Sequence, residues 1–105
     1  MSKMSLDEFF EYSEDRFTKR TISTAGKNSI FVLNFSPKQF LPPHKHPGAH
    51  VNILIIKGEG TFKVEGEEIK VKTNDILHFS KDKEIAFLND GQENASLYVV
   101  LTKIE

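Results

Sequence analysis

Turn-forming residues recur at short intervals from Lys19 to the end of the chain, and this spacing is the strongest constraint on the fold. The segments between the turns are rich in β-branched and aromatic residues, which are typical of strands. None of these segments has the length and periodicity of a helix. Short strands with no helical crossovers predict an all-β fold, an antiparallel sandwich or barrel. The expected strands span residues 19–24, 29–35, 50–57, 60–65, 67–72, 75–80, 84–89 and 95–103.

Hydrophobic alternation shows which strands bury one face and which bury two. Phe62 and Val64 alternate with polar neighbours, and Ile69 and Val71 do the same in the next segment. Because successive side chains of a strand point to opposite faces, we expect these two segments to form a half-buried hairpin. Residues 53–56 are apolar on both faces, so that strand is expected to be covered on both sides.

The first residues follow a different pattern. Ser5 and Glu8 have the spacing of a capping box, in which a hydroxyl and a carboxylate bind the free amides at the start of a helix. Leu6, Phe9 and Phe10 lie at helical spacing, so the pattern predicts a short amphipathic helix. We expect it to pack on the rest of the chain or on a partner subunit. The predicted helix spans residues 5–14, within an N-terminal segment of residues 1–18 that precedes a β-domain of residues 19–105.

The composition excludes several classes of protein. With 105 residues the chain suits one domain, and 14 basic against 15 acidic residues leave a net charge of −1, without the basic surplus of a nucleic-acid-binding protein. The longest apolar run, residues 97–101, is far shorter than the roughly 20 residues of a transmembrane helix. The start of the chain has no apolar stretch typical of a secretory signal, and there is no cysteine. We therefore expect a cytoplasmic protein without nucleic-acid or membrane partners.

Histidines are the residues best suited to metal chemistry in a chain without cysteine. His44, His46 and His50 fall within seven positions, after two prolines that favour an extended backbone. In an extended segment residues two apart point to the same side, so His44 and His46 are expected to converge. Neutral imidazoles that converge on a β-scaffold are typical metal ligands, although two surface histidines beside a loop would give the same pattern. His50 has the same parity, but Pro47 and Gly48 interrupt the strand before it.

The residues around these histidines resemble the first motif of the cupins, a family of small double-stranded β-helix (jelly-roll) proteins. That motif has a glycine, a His-x-His pair, a glutamate and a second glycine. Here His44 and His46 match the pair and Gly58 matches the last glycine, while Lys38 and Val51 stand at the first glycine and the glutamate. The resemblance implies a jelly-roll barrel with a short N-terminal helix.

The second cupin motif is matched in its spacing rather than in its residues. Asn74, Ser80, Asp82, Ile85 and Asn89 occupy its positions in step, and only Asn89 is the family residue. The family's histidine ligand would stand where this chain has Ile85. The resemblance covers about residues 28–101.

The resemblance implies a site inside the barrel, with two of the four usual metal ligands replaced by Val51 and Ile85. A divalent transition metal such as zinc, nickel, iron or manganese is one expected cofactor, with a third or fourth ligand supplied from elsewhere in the chain. The predicted metal ligands are His44, His46, His50 and His78.

We expect a small molecule to bind inside the barrel, because barrel mouths are common ligand sites with apolar walls and a few polar groups. The alternative is a metal-dependent cupin enzyme, a dioxygenase or an isomerase. The family resemblance also implies a homodimer. The predicted ligand-binding residues besides the histidines are Phe62, Ile85, Phe87 and Asn89.

Overall fold

Two antiparallel sheets face each other in the computed structural model, which describes residues 2–104. The larger sheet has the strand order β1-β2-β9-β4-β7 and the smaller has β3-β8-β5-β6. The prediction of an all-β fold is therefore confirmed. The strands of the described residues are β1 (Thr18–Ala25), β2 (Asn28–Phe35), β3 (Phe40–Lys45), β4 (Ala49–Lys57), β5 (Glu59–Val64), β6 (Glu67–Lys72), β7 (Ile76–Phe79), β8 (Glu84–Leu88) and β9 (Ala95–Lys103).

Among the strands of residues 2–104, β3 is the one that the sequence pattern did not predict. The bounds of the other strands agree with the prediction within one residue at each end. Pro42 and Pro43 lie within β3, and a proline normally argues against a strand because it has no N–H to donate. Here β3 is at the edge of the smaller sheet, where prolines are tolerated. Its pairing with β8 shifts register between Leu41 and His44, which places the prolines in the irregular stretch.

The N-terminal helix is much shorter than predicted. The capping box is present: the Ser5 amide donates to Glu8 Oε2 over 3.0 Å, and the Asp7 amide donates to Ser5 Oγ over 3.4 Å. The helix, however, is a single 3-10 turn at Leu6–Phe9, and Phe10 already has an extended backbone. The prediction of a helix over residues 5–14 is therefore wrong beyond its first turn.

The segment after this turn lies on the outer face of the larger sheet, held there by a buried polar network. Asn34 and Ser96 are fully buried. Asn34 Nδ2 donates to the Phe9 carbonyl over 2.8 Å, and Ser96 Oγ donates to Asn34 Oδ1 over 2.7 Å. The Ser96 hydroxyl has one proton, so Tyr12 must donate its own in the 2.6 Å contact with Ser96 Oγ. Because the Phe9 carbonyl and the Tyr12 hydroxyl are both bonded to this network, the backbone becomes extended at Phe10 and the helix does not continue.

The core lies between the two sheets and is centred on aromatic rings. Phe87 packs against Phe35 and Phe62, with ring centroids 4.9 Å and 4.7 Å away. A Cβ on Gly60 would stand 2.4 Å from Phe87 Cζ, so the glycine makes room for this ring.

Within residues 2–104, no helix is long and apolar enough to cross a membrane.

Candidate functional site

A cavity of about 160 Å³ lies between the two sheets, beside the aromatic core. Most of its wall is apolar, and both sheets contribute to it. Phe62 is fully buried at the inner end, whereas the histidines that line the cavity are half-buried and Lys19 is exposed. The cavity therefore runs from the surface into the core. An apolar cavity of roughly 150 Å³ in another protein binds benzene, so a single ring or a short branched chain fits this volume.

His44 and His46 meet at this cavity, as their spacing predicted. Their Nε2 atoms are 2.8 Å apart and their rings are nearly perpendicular, at 83°. His44 belongs to β3 and His46 follows its last residue. The extended backbone at the edge of the smaller sheet therefore aims both imidazoles at one place.

When both rings are uncharged, hydrogen bonding assigns their protons. His44 Nδ1 is 2.9 Å from the Pro42 carbonyl, which can only accept, so Nδ1 carries the proton. His44 Nε2 is then an acceptor, and His46 donates to it from Nε2. His46 Nδ1 is left without a proton and can accept a hydrogen bond.

The environment of His46 disfavours its charged form. Burial lowers the pKa of His46 below its ordinary value of 6.5, and the nearby His44 and Lys19 lower it further. A site of two mutually bonded imidazoles in an apolar cavity can orient a ligand by hydrogen bonds.

The donor set around this pair does not fit a resident transition metal. Val51 and Ile85, which stand at the glutamate and histidine of the cupin motifs, both line the cavity and are only 4% and 3% exposed. Ile85 is the residue directly paired with His44 between β3 and β8. Neither side chain has a donor atom, and protein zinc sites usually use three or four ligands. Across residues 2–104 there is no cluster of three or more histidine, cysteine or acidic side chains placed to hold a metal.

His50 and His78 lie on the other face of the larger sheet, away from His44 and His46. Ala49 and Val51 point into the core, so His50, between them on β4, points outward. Its ring stacks on that of His78, with centroids 5.5 Å apart. The four predicted metal ligands therefore form two separate pairs. The turn before β4 carries the chain from the smaller sheet to the larger one, so the parity of the His44 segment does not extend to His50.

The two outer histidines differ in their hydrogen bonding. His78 Nδ1 is 2.7 Å from Asn52 Oδ1, which can only accept, so His78 donates. His50 Nδ1 is buried and has no hydrogen-bond partner in the part of the chain that the structure describes.

Two of the four predicted ligand-binding residues line the cavity. These are Phe62 and Ile85, whereas Phe87 and Asn89 do not line it. Asn89 Nδ2 donates to the Phe35 and Glu93 carbonyls over 3.0 Å and 2.9 Å, and its Oδ1 accepts from the Gly91 amide over 3.1 Å. Its polar atoms are used to hold the loop after β8.

Among the cavity residues that the sequence reasoning missed, Lys19 is the charged one. It lies on β1, opposite Leu33 in the pairing with β2, and its Nζ is 4.4 Å from the centre of the Phe31 ring. Leu33 and Phe31 also line the cavity. The alternation of β1 shows that Lys19 and Thr21 share a face, but nothing in the sequence indicates that this face meets the histidines.

The chain is similar to known proteins in sequence and in fold. The family model described as "Cupin domain" matches residues 31–101. A search of curated protein sequences finds no match. Among solved structures, a Thermus thermophilus protein has a TM-score of 0.92 at 18% identity, covering 100% of both chains.

Two further structures have the same fold. An RmlC-like cupin protein from Desulfovibrio desulfuricans has a TM-score of 0.86 at 21% identity, covering 97% of this chain and 96% of its own. A Klebsiella pneumoniae protein with a double-stranded β-helix domain has a TM-score of 0.90 at 20% identity, covering 98% of this chain and 90% of its own. These similarities confirm the predicted double-stranded β-helix.

Proposed function

Because this chain belongs to the cupin domain family, whose model covers residues 31–101, we propose that it binds a small molecule inside its barrel. The observation that carries this proposal is the cavity of about 160 Å³ that reaches the surface beside His44 and His46. The ligand has an apolar body no larger than a ring or a short branched chain, and one polar group near the histidines.

The wall chemistry supports this division of the ligand. Ile53, Phe62 and Val99 offer only carbon atoms to the inner end of the cavity, so an apolar group displaces water from apolar surface there. His46 Nδ1, the ring nitrogen without a proton, accepts a hydrogen bond from the ligand's polar group. Such a bond contributes about 0.5–1.5 kcal/mol, and each 1.4 kcal/mol is a factor of ten in affinity.

We propose direct recognition by the imidazoles rather than recognition through a resident metal. The support is the donor set, since the two further ligand positions of the family are Val51 and Ile85 here. The alternative, a metal-dependent dioxygenase or isomerase, needs a metal held by more than two protein ligands. The cavity also offers such an enzyme no carboxylate base, because no acidic side chain of the described residues lines it.

A titration with benzyl alcohol tests the proposal, since this probe has one ring and one hydroxyl donor. Binding should shift the methyl NMR signals of Ile53 and Val99, while those of the outward-facing Ile76 stay unchanged. The substitution His46→Ala should weaken binding about two- to tenfold, the range of one neutral hydrogen bond. His78→Ala is the matched control, because it removes an imidazole on the other face of the sheet.

Shifts confined to the outer surface, or equal effects of the two histidine substitutions, would contradict a binding site in the cavity. The metal content of protein purified without a chelating tag tests the second part of the proposal. We expect far fewer bound metal ions than chains, and one ion per chain would contradict direct recognition by the imidazoles.

A further inference from the structure

Lys19 places a positive charge at the opening of the cavity. It is on the inner face of β1, the edge strand of the larger sheet, and its exposed side chain lies over Phe31. The distance of 4.4 Å from Nζ to the ring centre is that of a cation–π contact, which holds the ammonium group beside the cavity wall.

This charge has no carboxylate partner among the residues that the structure describes. The next residue shows the contrast, because Arg20 points to the opposite face and pairs with Glu11 over 2.9 Å. Within residues 2–104 no acidic side chain lines the cavity either, and His44 and His46 are bonded to each other. Among these residues, Lys19 is therefore a cation at the cavity opening that is free to bind an anion.

Lys19 lines the same cavity as the histidine pair. It is also one of the groups that lower the pKa of His46. An anionic group beside Lys19 would consequently lie at the same opening as His46, with the apolar wall behind both.

Resting on the proposed function, we propose that the ligand is a small carboxylate with an apolar body, and that the Lys19 ammonium binds its carboxylate. The apolar body enters the cavity between the sheets, and the carboxylate stays at the opening, where water still reaches it. This arrangement avoids the large cost of burying an unpaired charge. Charged hydrogen bonds are roughly twice as strong as neutral ones, so the charge decides which ligand is preferred.

The test compares phenylacetate with phenylacetamide, a neutral molecule of nearly the same shape. Affinities are measured by isothermal titration calorimetry at low and high salt for the wild-type chain and three variants. Lys19→Met keeps the apolar stem over Phe31 and removes the charge, whereas Lys19→Arg keeps the charge. Lys45→Met is the matched control, because it changes the net charge equally but removes an exposed lysine that does not line the cavity.

We expect the wild-type chain to bind phenylacetate about tenfold more tightly than phenylacetamide at low salt, with a smaller preference at high salt. Lys19→Met should reduce the preference to about twofold or less, while Lys19→Arg and Lys45→Met should retain it. Equal affinity of the wild-type chain for both probes would overturn the inference and leave the binding cavity in place. Equal losses in Lys19→Met and Lys45→Met would also overturn it. Failure of both probes to bind would overturn the inference and the proposed function together.

Discussion

Replacing Ile85 with histidine tests the geometry of the cavity most directly. Ile85 is paired with His44 across β3 and β8, is 3% exposed, and lines the cavity with both histidines. The cupin resemblance places a metal-binding histidine at this position. Ile85→His should therefore add a third imidazole beside His44 and His46, which is the smallest donor number common in protein zinc sites.

The cost of this change follows from the burial of Ile85. Burying an isoleucine side chain contributes about 1.5–3 kcal/mol, and a buried polar group without a partner costs about 1–3 kcal/mol. Without metal, the variant should therefore lose about 3–5 kcal/mol of unfolding free energy. Each kcal/mol shifts the melting temperature of a small domain by roughly 4–8 °C, so the decrease should be on the order of 15–30 °C.

Zinc should reverse much of this loss. A ligand that binds only the folded state at a concentration of about 100 times its Kd adds about 2.7 kcal/mol. The melting temperature, followed by circular dichroism during a zinc titration, should therefore rise by roughly 10–20 °C.

Two controls separate metal binding from general effects of the substitution. Ile85→Gln introduces a buried polar group without an imidazole, and the double variant Ile85→His with His44→Ala removes the neighbouring ligand. The melting temperature of neither variant should rise when zinc is added. If Ile85→His responds no more than these controls, the side chain at position 85 does not face the His44–His46 pair, and the reasoning is refuted.

Three further predictions concern single side chains. Because burial lowers the pKa of His46, the unfolded chain takes up that proton first, so the unfolding free energy should fall as pH drops through 6.5. The unfolding free energy of the His46→Gln variant, measured in urea titrations, should fall less steeply as pH drops. Parallel curves for the variant and the wild-type chain would contradict this. Asn89→Ala should cost about 1–3 kcal/mol in urea unfolding by leaving buried backbone groups unpaired. It should keep its affinity for benzyl alcohol, and a loss of affinity would place Asn89 in the site. Asn34→Ala should increase amide hydrogen exchange around Phe9 while the barrel strands stay protected, and unchanged exchange would show that the network does not hold the N-terminal segment.

Most of the fold follows from local patterns that the sequence displays. Strands such as β6 and β9 were predicted with the observed bounds, because their alternation and their flanking turn residues are local properties. Strand β3 was missed because Pro42 and Pro43 count against a strand until one knows that it lies at an edge. The capping box predicted where the 3-10 turn begins, but Asn34 and Ser96, distant in the sequence, fix the extended path that ends it.

The candidate site could likewise be predicted only in part from the sequence. His44 and His46 could be paired from the sequence, because two positions along one extended segment share a face whatever surrounds them. The locations of His50 and His78 depend on two separate connections, from β3 to β4 and from β6 to β7, through which the chain passes from the smaller sheet to the larger. The position of Lys19 beside the histidines depends on how two edge strands from different sheets meet. Alternation within a strand determines which residues share a face, whereas the packing of the sheets decides which faces enclose the cavity.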